Sequence, residues 1–151
     1  MIRLMPIGHV ESPYKHHEEL EMACLKGRRF RESSKIIIED YCVGMLKGLE
    51  EFSHAWILFH LHKADRIEPV THPGPPEMKG LPKVGVLASR SQFRPNHIGM
   101  RLVNITGIEG NTIRVTGLDA MDGTPVIDIK PYVPHFDLPE SPKVAGWYKD
   151  W

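Results

Sequence analysis

The sequence predicts a mainly β fold: one domain, closed as a β-barrel, with a short helix and long loops. Short β-branched or apolar runs recur between Gly, Pro, Asn and Ser turn signals, and only one stretch shows helical spacing. With 151 residues the chain holds one core and has little room for a second. Closing the sheet is the economical way to leave no strand edge open.

Taken in order, Ile2–Val10 reads as a strand with Pro6 at an edge or bulge, ended by the turn signal Glu11-Ser12-Pro13-Tyr14. His16–Ser34 is polar and without clean periodicity, so a long loop with at most one helical turn is expected. Lys35–Tyr41 carries Ile36, Ile37 and Ile38 and reads as a second strand. Val43, Leu46, Leu49 and Phe52 recur at spacings of three, which suits a short amphipathic helix weakened by Gly44 and Gly48. Ala55–His62 is apolar and aromatic almost throughout, as in a strand buried on both faces. Prolines and glycines crowd Pro69–Pro82, a composition that excludes regular structure. Strands follow at Val84–Ser89, Leu102–Ile108 and Thr112–Leu118, the last two forming a hairpin around Gly110, and a short strand at Val126–Ile129 comes last. The barrel domain is expected over residues 1–136, with a Pro-rich aromatic tail over 137–151.

Composition narrows the function. Lys plus Arg and Asp plus Glu are 19 each, so any anion site is local and not the product of a global field. No run approaches a membrane-spanning length and the start MIRLMPIGHV lacks a signal-peptide pattern, which predicts a cytoplasmic protein. Cys24 and Cys42 fit no CxxC pattern and read as reduced thiols. The Rossmann, P-loop, nucleophile-elbow and HExxH signatures are all missing.

Two polar segments carry the candidate chemistry. In "SRSQFRPNHIGMRLVNI", residues 89–105, Arg90, Arg94 and Arg101 surround Pro95-Asn96 and Gly99, a loop built to hold a shape and grip a carboxylate or phosphate. Strand-end arginines paired with acids are the plainer reading of the same residues. The second segment, Leu118–Tyr132, holds Asp119, Asp122, Thr124, Asp128, Lys130 and Tyr132. Asp128 interrupts an apolar strand and calls for a partner, for which Arg90, Arg94 and Arg101 are candidates. His60 and His62 share a strand face but lack a third ligand, so no metal is expected. Lys26, Arg28, Arg29 and Arg31 form the one dense basic run, either a phosphate contact or a solvated loop.

The blocks "IGHVESPYK" (7–15), "GLEEFSHAWILF" (48–59), "SRSQFRPNHIGMRLV" (89–103) and "LDAMDGTPVIDIKPYVP" (118–134) resemble, in order, the signature blocks of the TrmO/TsaA-like family. The resemblance implies a β-barrel methyltransferase that uses S-adenosylmethionine. It implies a homodimer that methylates N6 of threonylcarbamoyladenosine at position 37, in the tRNA anticodon loop. It places His62, Lys63, Arg90, Met100 and Thr116, Gly117, Leu118 and Asp119 at the cofactor. Arg94, Asn96, Lys130 and Tyr132 fall near the substrate, and Asp122 or Asp128 is the expected base. Two departures stand out: "LEMACLKGRRF" replaces the family's Pro-Arg-Gln segment, and His97 stands where a second Pro is usual. The further C-terminal domain of longer members is not expected in these residues. The alternatives are a methyltransferase for another substrate, a non-enzymatic RNA-binding barrel and a metal-dependent hydrolase.

Overall fold

The computed structural model describes residues 1–27, 31–74 and 78–150. Six strands close into an antiparallel barrel: β1 (Gly8–Glu11), β2 (Ser33–Ile38), β3 (His54–His60), β6 (Ile98–Glu109), β7 (Thr112–Thr116) and β8 (Pro125–Pro131), in the order β1-β2-β7-β6-β3-β8. The fold is therefore the closed, mainly β barrel that the sequence predicts.

Strand periodicity sets what faces inward. Val10, Ile36, Ile38, Ala55, Ile57, Phe59, Val103, Ile113, Val115 and Val126 alternate into the core, with Leu118 and Ala120 joining beyond the end of β7. The expectation that β3 is buried on both faces is corrected to an alternation, because Trp56 and Leu58 point outward and are only half-buried. Their cross-strand neighbours Leu102 and Met100 share that outer face, with Ile98 beyond them. Lys130 and Asp128 of β8 stand opposite Trp56 and Leu58.

The remaining corrections concern segments where one competing force wins. Residues 16–34 include an 11-residue helix, α1 (His17–Gly27). Glu18 and Glu19 suit the positive end of its dipole, Glu19 Oε2 accepts the Lys15 N–H at 2.9 Å, and His17 pairs with Glu21 one turn on at 3.0 Å. The expected helix over Val43–Phe52 is instead two 3-10 helices, Asp40–Leu46 and Leu49–Glu51, broken at Gly48 with φ 95°. A spacing of exactly three is the 3-10 period. The Pro-rich loop is not wholly irregular, since β4 (Val70–Thr71) pairs with β5 (Val84–Gly85), while Pro75 and Pro76 lie outside the described residues. β1 begins only at Gly8, where a Cβ would collide with the Ile37 carbonyl. β6 starts four residues earlier than expected and the strand expected over Val84–Ser89 ends at Gly85. Downstream lie α2 (Pro134–Asp137) and stacked Trp147 and Tyr148 rings, 4.2 Å apart. Among the described residues no helix is long and apolar enough to cross a membrane.

Candidate functional site

The antiparallel order brings the ends of β1, β3 and β7 and the starts of β2, β6 and β8 to one end of the barrel. There a cleft of about 680 Å³ opens, within the roughly 300–1,000 Å³ usual for small-molecule sites. Phe59, Leu61, Phe93 and Met121 give it apolar walls; Lys63 and Arg90 bring positive charge.

Both polar segments reach this cleft, Arg90 from the first and Asp119 from the second. Of the carboxylates lining it, Glu21 is paired with His17 and Glu68 with Arg66, at 3.0 and 2.9 Å. Asp119 Oδ1 is enclosed and has no hydrogen-bond partner among the described residues. Burial pushes its carboxyl above the ordinary aspartate value, opposed by the charges of Arg101 and Arg90 and by a backbone hydrogen bond. His62 lies past the end of β3, its Nδ1 3.4 Å from Thr124 Oγ1. Burial first, then Lys63 and His60, lower its pKa and favour the neutral ring.

The other expected residues scatter. Thr116 ends β7, Gly117 turns the chain at φ 91° while its carbonyl accepts a bond from Arg101 Nε at 3.0 Å, and Leu118 fills the core. Of the Thr116–Asp119 run only Asp119 lines the cleft. Met100 points outward from β6. Arg94 turns back on its own loop, donating to the carbonyls of Ser89 at 3.0 Å and Val86 at 3.1 Å. Asn96 is exposed at φ 65° in the turn before β6.

Asp128 has neither Arg90, Arg94 nor Arg101 as partner: it faces outward to Lys130 at 3.1 Å and accepts the Ile129 N–H. The link between the two segments is Asp119 instead. Tyr132 packs edge-on against Trp56 on the same outer face, centroids 6.3 Å apart. Asp122 does not line the cleft, although Met121 and Thr124 on either side of it do; its carboxylate holds Lys15 Nζ at 2.8 Å and the Ser12 N–H at 3.0 Å. The Lys15 hydrogen bond, ahead of that from Ser12, keeps its carboxyl below the ordinary range.

His60 and His62 do not share a strand face, because β3 stops at His60, and no metal-binding group occurs among the described residues. Arg28 and Arg29 lie outside the described residues, as do the side chains of Lys26 and Cys24. Gly99 makes room for protein, not ligand: a Cβ there would meet the Phe59 ring at 2.6 Å. Not anticipated from the sequence is the wall where Arg66 lies 3.9 Å over the Phe93 ring while Glu68 and Asp65 hold its guanidinium. Asp65 and Glu68 are Arg66's near neighbours in sequence, but Phe93 is distant, so no local pattern announces the ring contact.

A closed barrel with a small-molecule-sized cleft at one end, apolar-walled with a few charged groups and built from strand ends and loops, has the architecture of a ligand-binding β-barrel. The chain belongs to the tRNA-methyltransferase O N-terminal domain family, whose sequence profile matches residues 9–138. It is 36% identical over 151 residues to a probable S-adenosyl-L-methionine-binding protein of Pyrococcus abyssi, covering 97% of this chain and 76% of that protein. It is 46% identical over 96 residues to the mouse tRNA (adenine(37)-N6)-methyltransferase, covering 64% of this chain but 22% of the mouse protein. A crystal structure of TrmO superposes with a TM-score of 0.75 at 30% identity, covering 97% of this chain and 64% of the other.

Proposed function

We propose that the protein is an S-adenosylmethionine-dependent methyltransferase acting on N6 of threonylcarbamoyladenosine at tRNA position 37. The observation that carries this reading is the shared cleft, which Arg90 and Asp119 both line and where Asp119 Oδ1 has no hydrogen-bond partner among the described residues. The names of the relatives support S-adenosylmethionine as donor and N6 of adenine 37 of tRNA as acceptor; the threonylcarbamoyl group is what the resemblance of the signature blocks adds.

The residues present fit the cofactor. An enclosed carboxylate oxygen suits the ammonium or ribose hydroxyls of an adenosyl-amino acid, and Phe59, Leu61 and Phe93 offer apolar surface to the base. His62, Lys63, Arg90 and Asp119 would hold it. Bound there, it supplies a methyl group on a sulfonium, ready for in-line displacement. Lys63 and Arg90 meet the carboxylates that cofactor and acceptor carry, because Arg94 is committed to carbonyls and Lys130 faces outward.

The acceptor nitrogen shares its lone pair with the purine ring and the carbamoyl group, so it must lose its proton to react. We assign this step to Asp122, whose chain neighbours Met121 and Thr124 line the cleft and whose carboxyl Lys15 holds below the ordinary range, in the ionised form. This reading places the protein in the cytoplasm. A homodimer accords with the outward apolar row of Trp56, Leu58, Met100 and Leu102.

Calorimetry with S-adenosylmethionine, followed by methyl transfer to tRNA with and without the threonylcarbamoyl group, tests it. Binding and transfer confined to the carbamoylated tRNA are expected. Absence of cofactor binding would end the enzyme reading, and equal transfer to both tRNAs would end the substrate assignment.

A further inference from the structure

The loop after β3 and the loop before β6 meet at one wall of the cleft. The Glu68 N–H donates to the Phe93 carbonyl at 2.8 Å. The Arg66 guanidinium sits 3.9 Å over the Phe93 ring, a separation at which a guanidinium stacks on an aromatic face. Arg66, Glu68 and Phe93 all line the cleft.

Three features set what this wall can bind. Glu68 accepts from Arg66 Nε at 2.9 Å and Asp65 from Nη1 at 3.0 Å, so the guanidinium is pinned by its edge and its charge is more than offset. A phosphate gains nothing there. The Arg66 side chain nonetheless stays 54% exposed while lining the cleft. With one face on Phe93 and the edge on carboxylates, what a ligand meets is the other face, a fixed plane. The Glu68–Phe93 backbone bond already joins the two loops, so a pinned and half-exposed guanidinium is more than the join requires. Position is the third feature: Arg66 and the still more exposed Asp65 mark the solvent side of the cleft, whereas Asp119 Oδ1 is enclosed. A cofactor that reaches Asp119 leaves the solvent side to a second ligand.

We infer that Arg66 is a stacking platform for a nucleobase of the RNA substrate, one next to the acceptor nucleotide. Unstacked bases of an RNA loop pack on guanidinium planes as they do on aromatic rings, and such a contact needs a plane rather than a net charge. The face of the Phe93 ring away from Arg66 is the one left for the cofactor base proposed above. S-adenosylmethionine also carries a nucleobase, and the exposed position of Arg66 favours the RNA as the source. The inference rests on the RNA-substrate reading above.

The test pairs the wild type and Arg66→Lys, which keeps the charge and loses the plane, with an anticodon stem-loop RNA and with versions of it made abasic at each loop position in turn. Each pair is measured for RNA binding across a salt series and for methyl transfer, and each protein for S-adenosylmethionine affinity. Arg66→Lys should bind the intact RNA roughly tenfold more weakly, the usual weight of one base stack, with the log–log salt slope unchanged. Removing one particular base beside the acceptor should cost the wild type about as much and Arg66→Lys little more, so the two losses do not add at that position and do add elsewhere. Cofactor affinity should hold. The abasic series on the wild type reads the same contact without any change to the protein. Losses that add at every position, or wild-type RNA affinity in Arg66→Lys, overturn the platform. A fall in S-adenosylmethionine affinity with RNA affinity unchanged overturns the assignment to RNA and puts the plane against the cofactor's adenine. If the wild type binds the RNA but transfers no methyl, the methyltransferase reading fails by itself and the binding cycle still decides the platform. A wild type that does not bind the RNA overturns both.

Discussion

Asp119, Asp122 and Asp128 share one short segment and meet three environments: an enclosed cleft wall, an ion pair with Lys15, and the outer barrel face beside Lys130. Their Asn variants should separate accordingly. Asp122→Asn should keep S-adenosylmethionine affinity within about threefold while turnover falls on the order of 10²–10⁴, the usual weight of a general base. Asp128→Asn should change neither, and Asp119→Asn should weaken cofactor binding about tenfold or more, through loss of a charge-assisted bond. Calorimetry and single-turnover kinetics read all three.

Asp119 also predicts a pH dependence. Its folded pKa is raised by burial, so as pH climbs past the ordinary aspartate value the unfolded chain loses its proton first and the folded state loses ground. Relative to the ligand-free wild type, Asp119→Asn should therefore gain Tm from pH 4 to pH 7 and show little difference below pH 4. Thermal unfolding at both ends of that range checks the sign. At this scale the sequence revealed which residues carry charge, but not which way each faces. Asp128 was misread because its outward orientation follows from the pairing of β8 with β3, Leu58 opposite Asp128, a relation that no local pattern encodes.

Elements depend on close approaches that are equally hard to see in advance. Gly99 of β6 lies under the Phe59 ring and near Leu61, 3.2 Å from where a Cβ would stand. Gly99→Ala should push both side chains into the cleft, cost about 1–3 kcal/mol, and weaken cofactor binding as well. Gly48→Ala meets no atom within 4 Å but must hold φ 95°. It should cost about 1 kcal/mol from backbone strain and leave cofactor affinity alone. Denaturant titration with calorimetry tells the two apart. The strands were legible because β-branched runs between turn residues have few alternatives. α1 was not, because its stabilising contacts are polar and capping ones that leave no apolar stripe. The break at Gly48 was visible only as a weak helix signal.

At the scale of the molecule, closure of the barrel followed from the number of short strands and the need to cover their edges. The outer face did not, because an apolar residue on a strand reads as core until pairing assigns it a side. Trp56, Leu58, Leu102 and Met100 are the surplus: the barrel interior is already filled by Ala55, Ile57 and Val103. A second copy laid across this row would bury it by two-fold symmetry, each row meeting its own image. The proposed homodimer thus makes a specific demand. Leu58→Lys/Met100→Lys places two like charges at the centre of that contact while leaving the interior untouched, so the far-ultraviolet circular dichroism should be unchanged and Tm should not collapse. Sedimentation velocity at micromolar concentration should show the wild type at twice the mass of the variant. A wild type that sediments as a monomer, or a variant that stays dimeric, would move the contact elsewhere and leave the apolar row to another partner.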